Sequence, residues 1–190
     1  MPVLPDAVKP PIVCETSRLI LRQFNESDLD SLLAFRGDPE VMRFSVTGPE
    51  TREDIQTKYL PSCLRRYSRD GLGQWAVVRK SDGECMGECG ICAQEVEGGR
   101  EFEISYRMRR DCWGAGLATE AARACRYYGF KQAGLPCGSA LVEAQFRRGH
   151  RRARSTASGK HVVMRGTDWF DAPRDSRSTF ARVKTDGEGT

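Results

Sequence analysis

The stretch from Glu103 to Phe130, EISYRMRRDCWGAGLATEAARACRYYGF, constrains this chain more than any other. Its first part predicts a strand, because Phe102, Ile104, Tyr106 and Met108 alternate with Glu101, Glu103, Ser105 and Arg107. Its last part predicts a helix: Ala118, Ala121, Ala122 and Cys125 recur at helical spacing, with Glu120, Arg123 and Arg126 on other faces. Between them lies Cys112-Trp113-Gly114-Ala115-Gly116. Two glycines one residue apart let the backbone approach a ligand with no Cβ in the way. The unpaired N–H groups of the next helix's first turn, with the positive end of its dipole, then favour an anion, phosphate above all. A loop that merely needs two glycines is the plain alternative for G-x-G alone.

The flanking residues narrow the choice. No Gly-Lys-Ser/Thr follows, which excludes a Walker loop, and Thr119 stands where a dinucleotide fingerprint needs its third glycine. The pattern R-x-x-W-G-x-G-L-A-T-E-A, entered from the strand E-I-S-Y-R-M, resembles the central motif of the GCN5-related N-acetyltransferase (GNAT) superfamily. Within it the chain looks most like the branch that includes ribosomal-protein N-terminal acetyltransferases. The resemblance covers about residues 14–144 and implies an α/β fold, a mixed, mostly antiparallel sheet flanked by helices. It also implies acetyl-coenzyme A as cosubstrate. Trp113, Gly114, Ala115, Gly116, Leu117, Ala118 and Thr119 would then form the pyrophosphate cradle, and Tyr106, Arg107 and Met108 would offer backbone groups to the pantetheine arm. Asp111 stands where the family loop often has Gln or Arg; Arg109 or Arg110 must offset an acid so near a pyrophosphate.

A chain of 190 residues suits one domain, against roughly 150 residues per domain. No run approaches the roughly 18 apolar residues of a membrane span. The start, MPVLPDAVKPP, lacks the regions of a signal peptide; residues 1–13 read as a disordered arm and the expected location is cytoplasmic. The eight cysteines are therefore read as reduced, buried thiols. Cys85, Cys89 and Cys92 invite a zinc site, but on a regular strand 85 and 89 face one way and 92 the other. No metal is expected.

In chain order, Thr16–Gln23 predicts a first strand, and Ser27-x-x-Asp30 resembles a capping box before a helix carrying Leu29, Leu32, Leu33 and Arg36. Asp38-Pro39-Glu40 predicts a short helix through Phe44. Pro49 opens another, striped by Ile55, Tyr59, Cys63 and Tyr67, with a break or kink at Pro61. That stripe reads as core rather than ligand contact. Strands at 74–79, 85–92 and 100–108 form an antiparallel run, and Ser139–Ala144 adds one more.

From residue 145 the resemblance lapses. Residues 146–190 hold eleven Lys or Arg against five Asp or Glu, a net of +6, so the remainder carries −2 to give the overall +4. The segment 145–190 is either an electrostatic patch for RNA or a ribosomal surface, centred on RRGHRRAR, or poorly folded sequence such as an out-of-frame reading of a normal closing segment. The second is preferred, because the change is abrupt and the fold still needs closing elements there.

The family reaction is direct attack of an amine on a thioester, and the protonated amine must first lose a proton. Glu103, on the central strand, is the candidate base; an ordinary surface carboxylate is the alternative. Phe35, Arg36, Met42, Arg43 and Phe44 belong to the early helices that in the family wall the amine site, and Trp75 either adds an aromatic face or is core. No His lies in the matching region, which disfavours a Cys-His or Ser-His nucleophile. The expected function is thus N-acetyl transfer from acetyl-coenzyme A to a primary amine, either a protein N-terminus or a small molecule. The alternatives are an inactive coenzyme A-binding domain and an RNA-associated protein acting through its basic tail.

Overall fold

In the computed structural model, residues 9–96, 99–135, 140–143 and 163–164 are described. The chain begins with two short antiparallel strands, β1 (Ile12–Glu15) and β2 (Leu19–Arg22). Ile12 and Val13, expected in the arm, thus belong to the sheet: Ile12 pairs with Arg22 across the hairpin. The capping box is one step earlier than Ser27–Asp30 suggests. Asn25 accepts from the Ser27 N–H while Asp28 accepts from the Asn25 N–H at 2.9 Å. Asp28 is held there by a bidentate pair with Arg22, a constraint invisible to local pattern. Helix α1 (Leu29–Arg36) follows, then α2 (Pro39–Met42), whose N-terminus is capped by Asp38 as its D-P-E sequence implies.

The next helical run starts at α3 (Arg52–Asp54), capped by a Thr51–Asp54 box rather than opened by Pro49. It passes through one π-helical turn, Ile55–Tyr59, into α4 (Leu60–Asp70). There is no break at Pro61. The Leu60 N–H bonds the Ile55 carbonyl, and this wider turn carries the chain past a residue with no N–H to give.

Strands β3 (Gly73–Arg79), β4 (Cys85–Val96) and β5 (Gly99–Met108) form the expected antiparallel run. After β5 come the glycine loop and α5 (Leu117–Lys131), then β6 (Ala140–Glu143), parallel to β5. β7 (Val163–Met164) pairs antiparallel with β6, so two residues of the tail close onto the sheet; the rest of the segment lies outside the described residues. The described strands form one sheet in chain order, β1 to β7.

Register decides what each face carries. On one side α5 packs on the sheet: Trp75 meets Tyr128 edge-on at 5.3 Å, and Cys89 Sγ lies 3.3 Å from Cys125 Sγ. The other side, under α1 and α4, is polar, with Gln74, Glu88, Cys92, Ser105 and Arg107 linked among themselves or to the helices. A bulge where Val77 pairs with Gly87 but Val78 with Cys85 breaks the simple alternation of β4. Cys85 therefore comes near Arg22 and Asp28, whereas Cys89 meets α5, so these two cysteines do not share a face as alternation alone implied. Among the described residues no group of three or more His, Cys, Asp or Glu is placed to hold a metal ion. Nor is any described helix long and apolar enough to cross a membrane.

Candidate active site

The glycine loop ends in backbone that only glycine adopts readily. Gly114 has φ +86 and Gly116 φ +76, and Gly116 is the residue that caps α5. No side chain caps that terminus, so the first-turn amides of Leu117, Ala118 and Thr119 have no acceptor within the helix. Residues 113–116 are exposed, while buried Leu117 anchors the turn in the core. Two side chains fix the loop. Trp113 Nε1 donates to the Met108 carbonyl at 2.8 Å, tying the loop to the end of β5. Arg18, from the β1–β2 turn, donates to the Ala115 carbonyl at 3.2 Å and pairs with Glu120 at 2.6 Å. Local sequence gave no sign of Arg18, which lies 97 positions from Ala115. Asp111 is offset by Arg109, whose Nη2 sits 2.5 Å from it. These residues fit a diphosphate: an exposed, uncapped helix start with a guanidinium beside it.

Beside this loop lies the last part of β5. The described pairing with β6 runs from Phe102–Ala140 to Ser105–Glu143, the last described residue of β6. Tyr106, Arg107 and Met108 pair with Cys89, Glu88 and Gly87 of β4. The Tyr106 side chain is half-buried against the core.

The polar face holds a closed charge network. Glu88 is fully buried; it accepts from Arg36 at 2.7 Å, from Arg107 at 3.0 Å and from the Tyr59 hydroxyl. Arg36 also forms a two-pronged pair with Glu50, at 2.6 and 2.7 Å, and lies over the Tyr59 ring at 3.4 Å. Two cations meet two anions, so burial leaves no uncompensated charge. Burial disfavours the Arg36 cation, but Glu88, Glu50 and Tyr59 outweigh it and hold the group charged. Burial, then the Glu88 charge, pushes the Tyr59 phenol well above its usual range, so it serves as a donor. Tyr59, read from its spacing as core, is thus part of this network. Glu88 was missed altogether, though an acid amid the small and apolar residues of MGECGI was its sequence signal.

The candidate acceptor residues separate. Phe44 is 57% exposed, with Arg43 over its ring at 4.4 Å, and Arg36 belongs to the network. Phe35 and Met42 are fully buried and present no surface. Trp75 is buried on the α5 side of the sheet, because its register places it opposite Cys89, and so it is core. Glu103 is buried on the polar face, where its charge acts on the Cys92 thiol.

A mostly antiparallel sheet whose strand β5 pairs parallel with β6 and leads through a glycine loop into a helix packed on one face is the architecture of GNAT acyltransferases. The chain matches the acetyltransferase (GNAT) domain over residues 18–158, past Ala144, and belongs to that family; it is an acyltransferase. It is 34% identical over 130 residues to the uncharacterized protein YkkB of Bacillus subtilis, covering 67% of this chain and 74% of that one. To the uncharacterized N-acetyltransferase p20 of Bacillus licheniformis it is 32% identical over 131 residues, 68% and 72% of the two chains. The fold also matches spermidine N-acetyltransferase from Vibrio cholerae in complex with CoA and spermine (TM-score 0.54, 16% identity, 67% of this chain and 71% of that one). A second match is RimL, a ribosomal L7/L12 alpha-N-protein acetyltransferase (TM-score 0.58, 14% identity, 73% and 75%).

Proposed function

We propose that this acyltransferase moves an acetyl group from acetyl-coenzyme A to a primary amine by direct attack of the amine on the thioester. The uncapped, glycine-started helix that follows β5, its first-turn amides without an acceptor in the helix, carries this reading. Gly114, Ala115, Gly116 and the amides of Leu117, Ala118 and Thr119 hold the diphosphate, with Trp113 and Arg18 fixing the loop. The backbone of Tyr106, Arg107 and Met108 receives the pantetheine arm, and a backbone N–H there stabilises the developing oxyanion. Glu103 takes the proton that an amine carries at neutral pH. The acceptor enters over the polar face, past Phe44 and the loop that carries Glu50. Charged and hydrogen-bonding groups there suit an amine better than the apolar α5 face does.

The acceptor is a protein N-terminus or a small amine; the fold is shared with enzymes named for each kind. Calorimetry with acetyl-coenzyme A, followed by thiol release with a panel of primary amines, tests the reading. Tight binding without thiol release would make this a coenzyme A-binding domain instead, and no binding at all would overturn the cradle.

A further inference from the structure

Two buried side-chain atoms among the described residues, Gln74 Oε1 and Trp75 Nε1, have no hydrogen-bond partner, and neighbouring residues on β3 face opposite sides. Trp75 belongs to the α5 side; Gln74 belongs to the polar face and is 5% exposed. Its Nε2 donates to Ser105 Oγ at 2.6 Å and to Cys92 Sγ at 3.4 Å, two partners for two N–H bonds, so the oxygen is the end left over. The side chain reaches Ser105 because Gly90 stands between them in the register. A Cβ at Gly90 would lie 1.8 Å from the Gly73 carbonyl oxygen, so no other residue fits there.

Ser105 lies on β5 two residues beyond Glu103, on the same face of the strand. The orphan carbonyl is therefore anchored, through its own amide, to β5, the strand that leads into the glycine loop. Cys92, its second partner, is the register partner of Glu103. The neighbouring donors Arg36, Tyr59 and Arg107 direct protons to Glu88. A buried acceptor left unpaired loses its water with nothing in return, so it favours a ligand that brings a donor.

We propose that Gln74 Oε1 recognises the acceptor by accepting an N–H bond from its nitrogen, which makes Gln74 a specificity-determining residue; this rests on the acetyl-transfer reading above. A primary amine that has given one proton to Glu103 still has two N–H bonds, one of which Gln74 takes. An alcohol that has given up its proton has none. Gln74 thus selects nitrogen over oxygen nucleophiles.

The full chain tests this with Gln74→Met, close in volume but with no acceptor oxygen, and Gln74→Glu, which keeps one. For an amine that the wild type acetylates, Gln74→Met should raise KM about tenfold, equal to roughly 1.4 kcal/mol, with kcat and the acetyl-coenzyme A affinity within about twofold. Gln74→Glu should hold KM at or below the wild-type value. A folded Gln74→Met protein with unchanged amine KM overturns the inference while leaving acetyl transfer intact. Should Gln74→Met fail to melt cooperatively, a Gln74→Glu protein with raised KM overturns it equally. A wild type that acetylates no amine overturns the underlying reading, and this one with it.

Discussion

Arg36 and Glu88 are 52 positions apart in the chain and 2.7 Å apart in the fold, a helix side chain meeting a strand side chain with almost no water between them. The pair joins helix α1 to the sheet, and through Arg107 it reaches the end of β5. Its interest lies in how costly half of it would be.

Removing one partner strands a buried charge. Glu88→Ala leaves Arg36 and Arg107 short of an anion, and the expected loss is about 3–5 kcal/mol of folding stability by urea denaturation. Replacing both partners, as in Glu88→Gln with Arg36→Met, should recover part of that loss. Equal destabilisation in the single and double variants would show that the charges are not coupled.

Gly116 sits at φ +76 with open space where a Cβ would go, the nearest atom being Arg18 Nη2 at 3.8 Å. Gly116→Ala should therefore cost only the left-handed backbone term, about 1–2 kcal/mol. Its dissociation constant for acetyl-coenzyme A should rise, because the methyl group enters the proposed cradle. A calorimetric affinity equal to wild type would remove the cradle from this loop.

Glu120 links α5 to the β1–β2 turn. Partial burial raises its pKa, but hydrogen bonds from Thr16 and Arg18 and the Arg18 charge outweigh it and hold the carboxyl below its usual 4.5. A depressed folded pKa contributes stability at pH above the unfolded value, lost as pH falls through the folded one. Thermal melts from pH 7 down should show the wild type losing more stability below pH 4.5 than Glu120→Gln. Parallel curves would contradict the linkage.

The thiols of Cys63 and Cys85 are pushed up to about 12 and about 11, chiefly by burial. Iodoacetamide at pH 8 should label both about a hundredfold or more slowly in the native protein than in urea, since the thiolate is the reactive form. Mass spectrometry of the labelled peptides checks it, and prompt native labelling of either would mean that the region under α1 and α4 opens readily.

Much of the scaffold was legible because its causes are local. The alternation from Phe102 to Met108 and the cap at Asp38 each rest on neighbouring residues, and both elements form where expected. The misplaced features turn on contacts that the pattern rules leave out. Asn25 rather than Ser27 opens the first helical turn because Arg22 holds Asp28 in place. Pro61 does not break its helix because a π turn precedes it. Phe35, Met42 and Trp75 carry the right chemistry for an acceptor wall but face inward, which only register and helix rotation decide.

From the amino-acid order alone follow the strand–glycine–helix unit and, with it, the family resemblance and the position of the proposed cradle, because positive φ and an uncapped helix start are demands that Gly114 and Gly116 meet where they stand. The tertiary structure alone decided that Arg18 braces the loop, that Glu88 gathers Arg36, Tyr59 and Arg107, and that Gln74 keeps a buried oxygen unpaired. Those relations depend on which strands lie side by side and at what offset, and a one-residue bulge such as that at Met86 is enough to change them.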